Sequence, residues 1–328
     1  MTRIPLIAGN WKMNKTTAEA VTLTQQIIYS LPARQFTDLE ILVCPPFTDL
    51  RSVRTVLEFE RSAIQMAAQD VYWQAEGPFT GGISARMLAE IGCRYCLVGH
   101  SERRQYFAET DSDIAKKITA LQEVGITPIL CVGEDLATRQ ESVQTAVDFV
   151  LGQVQAALGT TATGFGSGAF GTAGIGTAID ADALELAIDD IVDEPATLKS
   201  AVIEITPESV PLEPITLEPV SIEAVPMHLA ANDPQLVIAY EPIWSIGTGK
   251  TATPAAAQRM AKAIRKCLTL MFSETTGLST RILYGGSLNA GNIALFAAEP
   301  DIDGGLVGGA SLDVSEFVRL ISNFRQAE

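Results

Sequence analysis

The sequence predicts an α/β fold built from eight strand–helix units, on three observations. Eight short apolar runs recur along the chain, each closed by Gly, Pro or polar residues. Between them lie amphipathic stretches whose apolar residues fall three and four apart, the helical spacing. Setting aside one unusual segment, residues 160–234, leaves 253 of the 328 residues, close to the roughly 250 of a closed (β/α)8 barrel. Strand–helix alternation implies a parallel sheet with helices packed outside it. A doubly wound sheet gives a similar alternation, so the pattern alone leaves both architectures open.

The units follow in order. IPLIAG (4–9) is the first strand and AEAVTLTQQIIYSL (18–31) its helix. LEILVCP (39–45), AIQMAAQ (63–69) and YCLVGH (95–100) are strands two to four, the last followed by the helical DSDIAKKITALQEVG (111–125). ITPILCVG (126–133) is the fifth strand, with a helix at about 137–158. QLVIAY (235–240), RILYGG (281–286) and DIDGGLVGG (301–309) complete the set. Runs this short, ending in glycine or proline, suit strands better than helices.

Residues 160–234 break this rhythm. They hold thirteen Asp and Glu against one basic residue, Lys199, so this segment carries −12 of the chain's formal charge of −16. The Gly-rich GTTATGFGSGAFGTAGIGT leads into it, and an acidic helical pattern, DADALELAIDDIVDE (180–194), follows. In SVPLEPITLEPVSIEAVP (209–226) the prolines forbid a central strand, while the alternation of PLEPITLEPVSIEAV suits an edge ribbon. An acidic, low-complexity segment buries little apolar surface, so partial order at best is expected. The expected organisation is one barrel domain, 1–328, with 160–234 inserted between the fifth helix and the sixth strand. Such αβ connections emerge at the bottom of a barrel, away from the βα loops that carry chemistry.

Composition narrows the function. Hydrophobic residues at 47% and charged residues at 19% describe a soluble globular protein, and no apolar run is long enough for a membrane span. The apolar part of MTRIPLIAGNWKMN is too short for a signal peptide, so a cytoplasmic location is expected. The net charge of −16 argues against a nucleic-acid partner. Cys93 and Cys96 form a C-x-x-C, but no second pair exists and Cys96 sits in an apolar run, so structural thiols and no metal are expected.

The stretch AYEPIWSIGTGKT (239–251) ends like a phosphate-binding P-loop. That loop requires glycine five residues before Gly249, and position 244 is Trp, which cannot make the turn. The charge that stands out is Glu241, an acid closing an apolar strand.

Seven strand-end motifs, AGNWKMN (8–14), GPFTGGIS (77–84), VGHSERR (98–104), CVGE (131–134), AYEPIWSIGTGKTATP (239–254), YGGS (284–287) and LVGGASL (306–312), resemble the triosephosphate isomerase family in its order. The resemblance covers nearly the whole chain apart from the insertion. It implies a TIM barrel and an aldose–ketose isomerase interconverting D-glyceraldehyde 3-phosphate and dihydroxyacetone phosphate without cofactor or metal. It further implies Glu241 as the base, His100 as a neutral electrophile and Lys12 as the cation near phosphate and enediolate, with Asn10 a polar contact. IWSIGTGK resembles the family's lid. Phosphate contacts are implied at Gly247, Ser287, Gly308 and Gly309, where glycine lets backbone amides approach. Glu102 is expected to orient Lys12, and Ser101 to cap a short helix whose N-terminus disfavours a protonated imidazole. The only other histidine, His228, falls in the insertion.

The resemblance also implies a homodimer through the 69–84 loop, with Thr80 approaching the partner's site. Asp70 stands where the family often has Asn, and Gly82 where it usually has an acid, so a weaker dimer is expected. Two other readings compete. One is another phosphate-gripping barrel enzyme, disfavoured because Lys12, His100 and Glu241 occur together. The other is a catalytically altered or silent scaffold whose acidic insertion binds a partner.

Overall fold

β1 (Leu6–Asn10) pairs in parallel with both β2 (Glu40–Cys44) and β8 (Gly304–Val307), and that double pairing closes the sheet. In the computed structural model, which describes residues 3–31, 38–159, 236–245 and 251–327, the strands run β1 to β8 around a barrel in sequence order. β3 (Gln65–Ala68), β4 (Tyr95–Val98), β5 (Thr127–Val132), β6 (Val237–Tyr240) and β7 (Arg281–Tyr284) complete it. A doubly wound sheet would leave two edge strands, so this alternative falls.

Helices follow every strand. α1 (Thr17–Ser30), α2 (Leu50–Phe59) and α3 (Ala85–Ile91) follow β1 to β3. α4 (Ser101–Phe107) and α5 (Asp111–Glu123) follow β4; α6 (Leu136–Glu141) and α7 (Val143–Gly159) follow β5. α8 (Pro254–Met271) and α9 (Glu274–Ser279) follow β6, with α10 (Ile293–Ala297) and α11 (Val314–Ala327) after β7 and β8. Local chemistry sets several starts. Thr253 accepts from the Ala256 N–H ahead of Pro254, a residue pre-set for the first helical position. The fifth helix, expected in one piece, breaks at Ser142, which is extended (φ −169°, ψ 162°). Its hydroxyl accepts the Thr145 N–H at 2.9 Å and so caps α7 instead of continuing α6.

Alternate strand residues fill the barrel, among them Leu6 and Ala8, Leu42 and Cys44, Ile129 and Cys131, Val237 and Ala239. Each buried Leu, Ile or Val contributes roughly 1.5–3 kcal/mol. At the strand starts Arg281 reaches Glu40 (2.6 Å) and Tyr95 Oη (2.8 Å), tying β7 to β2 and β4 across the barrel. All five cysteines are buried free thiols, as expected. No described helix is long and apolar enough to cross a membrane.

The segment expected as an insertion, 160–234, lies outside the described residues, as do His228 and Gly247. In sequence it lies between α7 and β6.

Candidate active site

The C-terminal ends of β1, β4, β6, β7 and β8 bring most of the expected residues together. Glu241 directly follows β6, and its N–H donates to Val132 O at 2.7 Å. β5 runs so close that a Cβ on Gly133 would lie 1.7 Å from Glu241 O. On the other side, a Cβ on Gly285 would stand 2.9 Å from Glu241 Cγ. The glycines of CVGE and YGGS therefore make room for this acid. Its carboxylate is buried at 2% exposure, yet it is well partnered. His100 Nε2 lies 3.0 Å from Oε1, and the Ser101 N–H donates to Oε2 at 3.1 Å.

His100 follows β4 and is itself the cap of α4: Nδ1 accepts the Glu102 N–H at 3.2 Å. Ser101, expected to cap, is the first helical residue, which leaves its N–H for Glu241. With Nδ1 an acceptor, a neutral imidazole carries its proton on Nε2, facing the carboxylate.

Burial opposes the charge on both groups, and their proximity reverses the outcome. For Glu241, His100, the Ser101 N–H and Lys12 overcome burial and hold its carboxyl below the usual range. For His100, the Glu241 carboxylate overcomes burial and raises the imidazole. A raised imidazole stabilises the fold below its ordinary pKa of about 6.5, and this is lost as pH rises through the folded value. A lowered carboxyl stabilises above about 4.3, and this is lost as pH falls through the folded value. The pair therefore contributes most in the mildly acidic window between. Replacing Glu241 by Gln removes the influence that raises His100 and keeps the burial that lowers it. We expect the His100 pKa to fall in an NMR titration. An unchanged value would show that Glu241 is not its dominant neighbour.

Lys12 lies across the site with a left-handed backbone, φ 52°, uncommon for a residue with a side chain. Its N–H donates to Asn10 Oδ1 at 3.0 Å, and Gln69 Nε2 donates to its carbonyl and to Cys44 O, both at 2.8 Å. Its ammonium lies 2.6 Å from Glu102 Oε1. Gly308 is adjacent: a Cβ there would sit 3.4 Å from Lys12 Cε. Gly309 opens the turn after β8, fixed by Ser311 donating through N and Oγ to Gly308 O. Ser287 stands three residues beyond β7 and is half-buried. Thr80 is exposed on the loop after β3.

Two residues given no role from sequence matter to this geometry. Gln69 clamps Lys12 by donating to its carbonyl. Glu134, the acid of CVGE, is fully buried and accepts from Tyr240 Oη and Trp244 Nε1, both at 3.0 Å. It fixes the segment leaving Glu241, and burial pushes its carboxyl up despite those bonds.

A buried carboxylate, an imidazole N–H and an ammonium gathered at these strand ends suit proton transfer at a carbon beside a carbonyl. The family model described as Triosephosphate isomerase matches residues 5–165 and 220–324, leaving 166–219 unmatched. Proteins named triosephosphate isomerase are similar over nearly their full length. The protein of Corynebacterium diphtheriae is 38% identical, over 98% of this chain and 98% of its own. That of Chloroflexus aurantiacus is 39% identical, over 97% and 98%. That of Streptomyces coelicolor is 38% identical, over 98% and 97%.

Proposed function

This chain belongs to the triosephosphate isomerase family, and we propose that Glu241 is the base with which it interconverts D-glyceraldehyde 3-phosphate and dihydroxyacetone phosphate. Such a reaction moves a proton between neighbouring carbons through an enediolate. It needs a base, a donor at the carbonyl oxygens and a cation, with no metal or organic cofactor.

The buried Glu241 carboxylate, gripped by His100 Nε2 and the Ser101 N–H, carries the reading. A carboxylate so held is stored and charged. To act it turns from Ser101 toward the substrate carbon, where exclusion of water strengthens it as a base. His100 then presents Nε2–H to the carbonyl oxygens, and the departed carboxylate no longer favours a protonated ring. Lys12 stabilises the enediolate and faces the phosphate, with Asn10 beside it and Glu102 orienting its ammonium. Backbone amides at Gly247, Ser287, Gly308 and Gly309 hold the phosphate.

The working unit is proposed to be a homodimer in the cytoplasm, joined through the 69–84 loop with Thr80 at the partner's site. Neighbouring loops at this end expose Met13 (96%), Phe47 and Phe79 (both 37%), apolar area that a partner would cover. Gly82 brings no acid to this loop, so monomer should appear in sedimentation at nanomolar concentration. An undissociated dimer there would contradict the weakened interface. The chain is proposed as one barrel domain with 160–234 inserted; the unmatched residues 166–219 support that placement.

The test of function is turnover of both triose phosphates by the purified chain. A folded chain that binds a phosphate-bearing analogue but does not turn over would replace this reading with a silent scaffold.

A further inference from the structure

We propose that Asp70 is a positioning residue for the isomerisation, holding the first turn of α4 against the end of β3 so that Lys12, His100 and Glu241 keep their mutual geometry; this rests on the isomerase reading above. Asp70 lies just past β3 and divides its carboxylate. Oδ2 meets Arg103 Nη2 at 2.8 Å and Oδ1 meets Lys117 Nζ at 2.6 Å. Glu109 completes the ring from the opposite side, with Lys117 Nζ at 2.8 Å and Arg103 Nε at 3.0 Å. Charges alternate around four members, two of each sign. Lys117 and Glu109 keep only 5% and 3% of their side chains exposed, so water screens the ring little.

Its members sit beside the groups that hold the site. Asp70 follows Gln69, which clamps the Lys12 carbonyl, and Arg103 follows Glu102, which pairs with the Lys12 ammonium. The same turn of α4 supplies the Ser101 N–H to Glu241 and the Glu102 N–H to His100 Nδ1. Lys12 is thus held at its backbone from one side of the ring and at its head group from the other. The ring fixes the distance between those two grips.

The negative charge at 70 is what the ring requires. With Asn there, Lys117 and Arg103 would share the single carboxylate of Glu109, and an amide N–H2 would face a cation. Gly82 supplies no replacement. Breaking one member of a buried, hydrogen-bonded charge set leaves its partners uncompensated.

The experiment compares Asp70→Asn with the native chain in steady-state kinetics, thermal unfolding and the ring 15N shifts of His100, with His228 as the internal comparison. We expect kcat/KM to fall about tenfold or more, chiefly in kcat, because a displacement near 1 Å at a catalytic group can cost ~100-fold. The His100 Nδ1 resonance should move as its bond from Glu102 N–H lengthens. A lower Tm alone, with kcat/KM within twofold of native and an unmoved His100 resonance, would reduce the ring to a stabilising element and overturn the proposal. Should Asp70→Asn fail to fold, Arg103→Lys keeps the charge and loses the two-pronged contact. It should still shift the His100 resonance, and a native resonance would overturn the proposal. If the native chain itself lacks isomerase activity, the function fails, while the His100 comparison still decides whether Asp70 positions α4.

Discussion

Glu241→Gln is expected to lower kcat by about 10³-fold or more while leaving KM within a few-fold. Positioned general bases contribute roughly 10²–10⁴, and the amide has the size of the carboxylate without its basicity. The room around position 241 is set by Gly133 and Gly285 and is unchanged by this swap. A well-folded variant with near-native kcat would remove Glu241 from the chemistry. Glu241→Asp is the companion. It keeps a carboxylate and shortens its reach by about one carbon–carbon bond, and near 1 Å of misplacement can cost ~100-fold.

Lys12→Met carries the second large effect. The thioether fills similar volume but removes the cation facing phosphate and enediolate. Losing one such electrostatic contact costs about 10²–10³ in rate, and KM should rise because phosphate is held less well. Stability should hardly change. Lys12 and Glu102 are partly exposed, at 27% and 38%, and such pairs contribute about 0–1 kcal/mol. The left-handed backbone is set by Asn10 and Gln69, neither of which is altered. Steady-state kinetics paired with thermal unfolding would test both halves. A large drop in Tm with intact kcat/KM would make Lys12 structural.

The barrel was legible because strand and helix periods differ, and eight alternations need only local pattern to be seen. Closure was not, since β1 pairing with β8 joins residues about three hundred positions apart. Glu241 announced itself as a charge ending an apolar run, where burial without purpose is costly. Partners were harder. Apolar spacing says which face is buried and nothing about which distant side chain meets it. Asp70 looked like a departure bearing on the dimer loop, while its actual contacts are Lys117 and Arg103. Gln69, whose amide supports Lys12 from 57 residues away, carried no local signal of that role. Ser101 misled for a different reason. It is a good capping residue by type, but the imidazole before it already reaches the Glu102 N–H.

Isomerisation run in D2O tests the chemistry most directly, with deuterium in the product read by NMR. A carboxyl proton taken from carbon exchanges with solvent, so the native chain should place deuterium on the carbon that receives the proton. Glu241→Gln should lose that labelling together with turnover. Native turnover that brings no solvent deuterium into either triose, at a rate Glu241→Gln retains, would contradict proton transfer through Glu241.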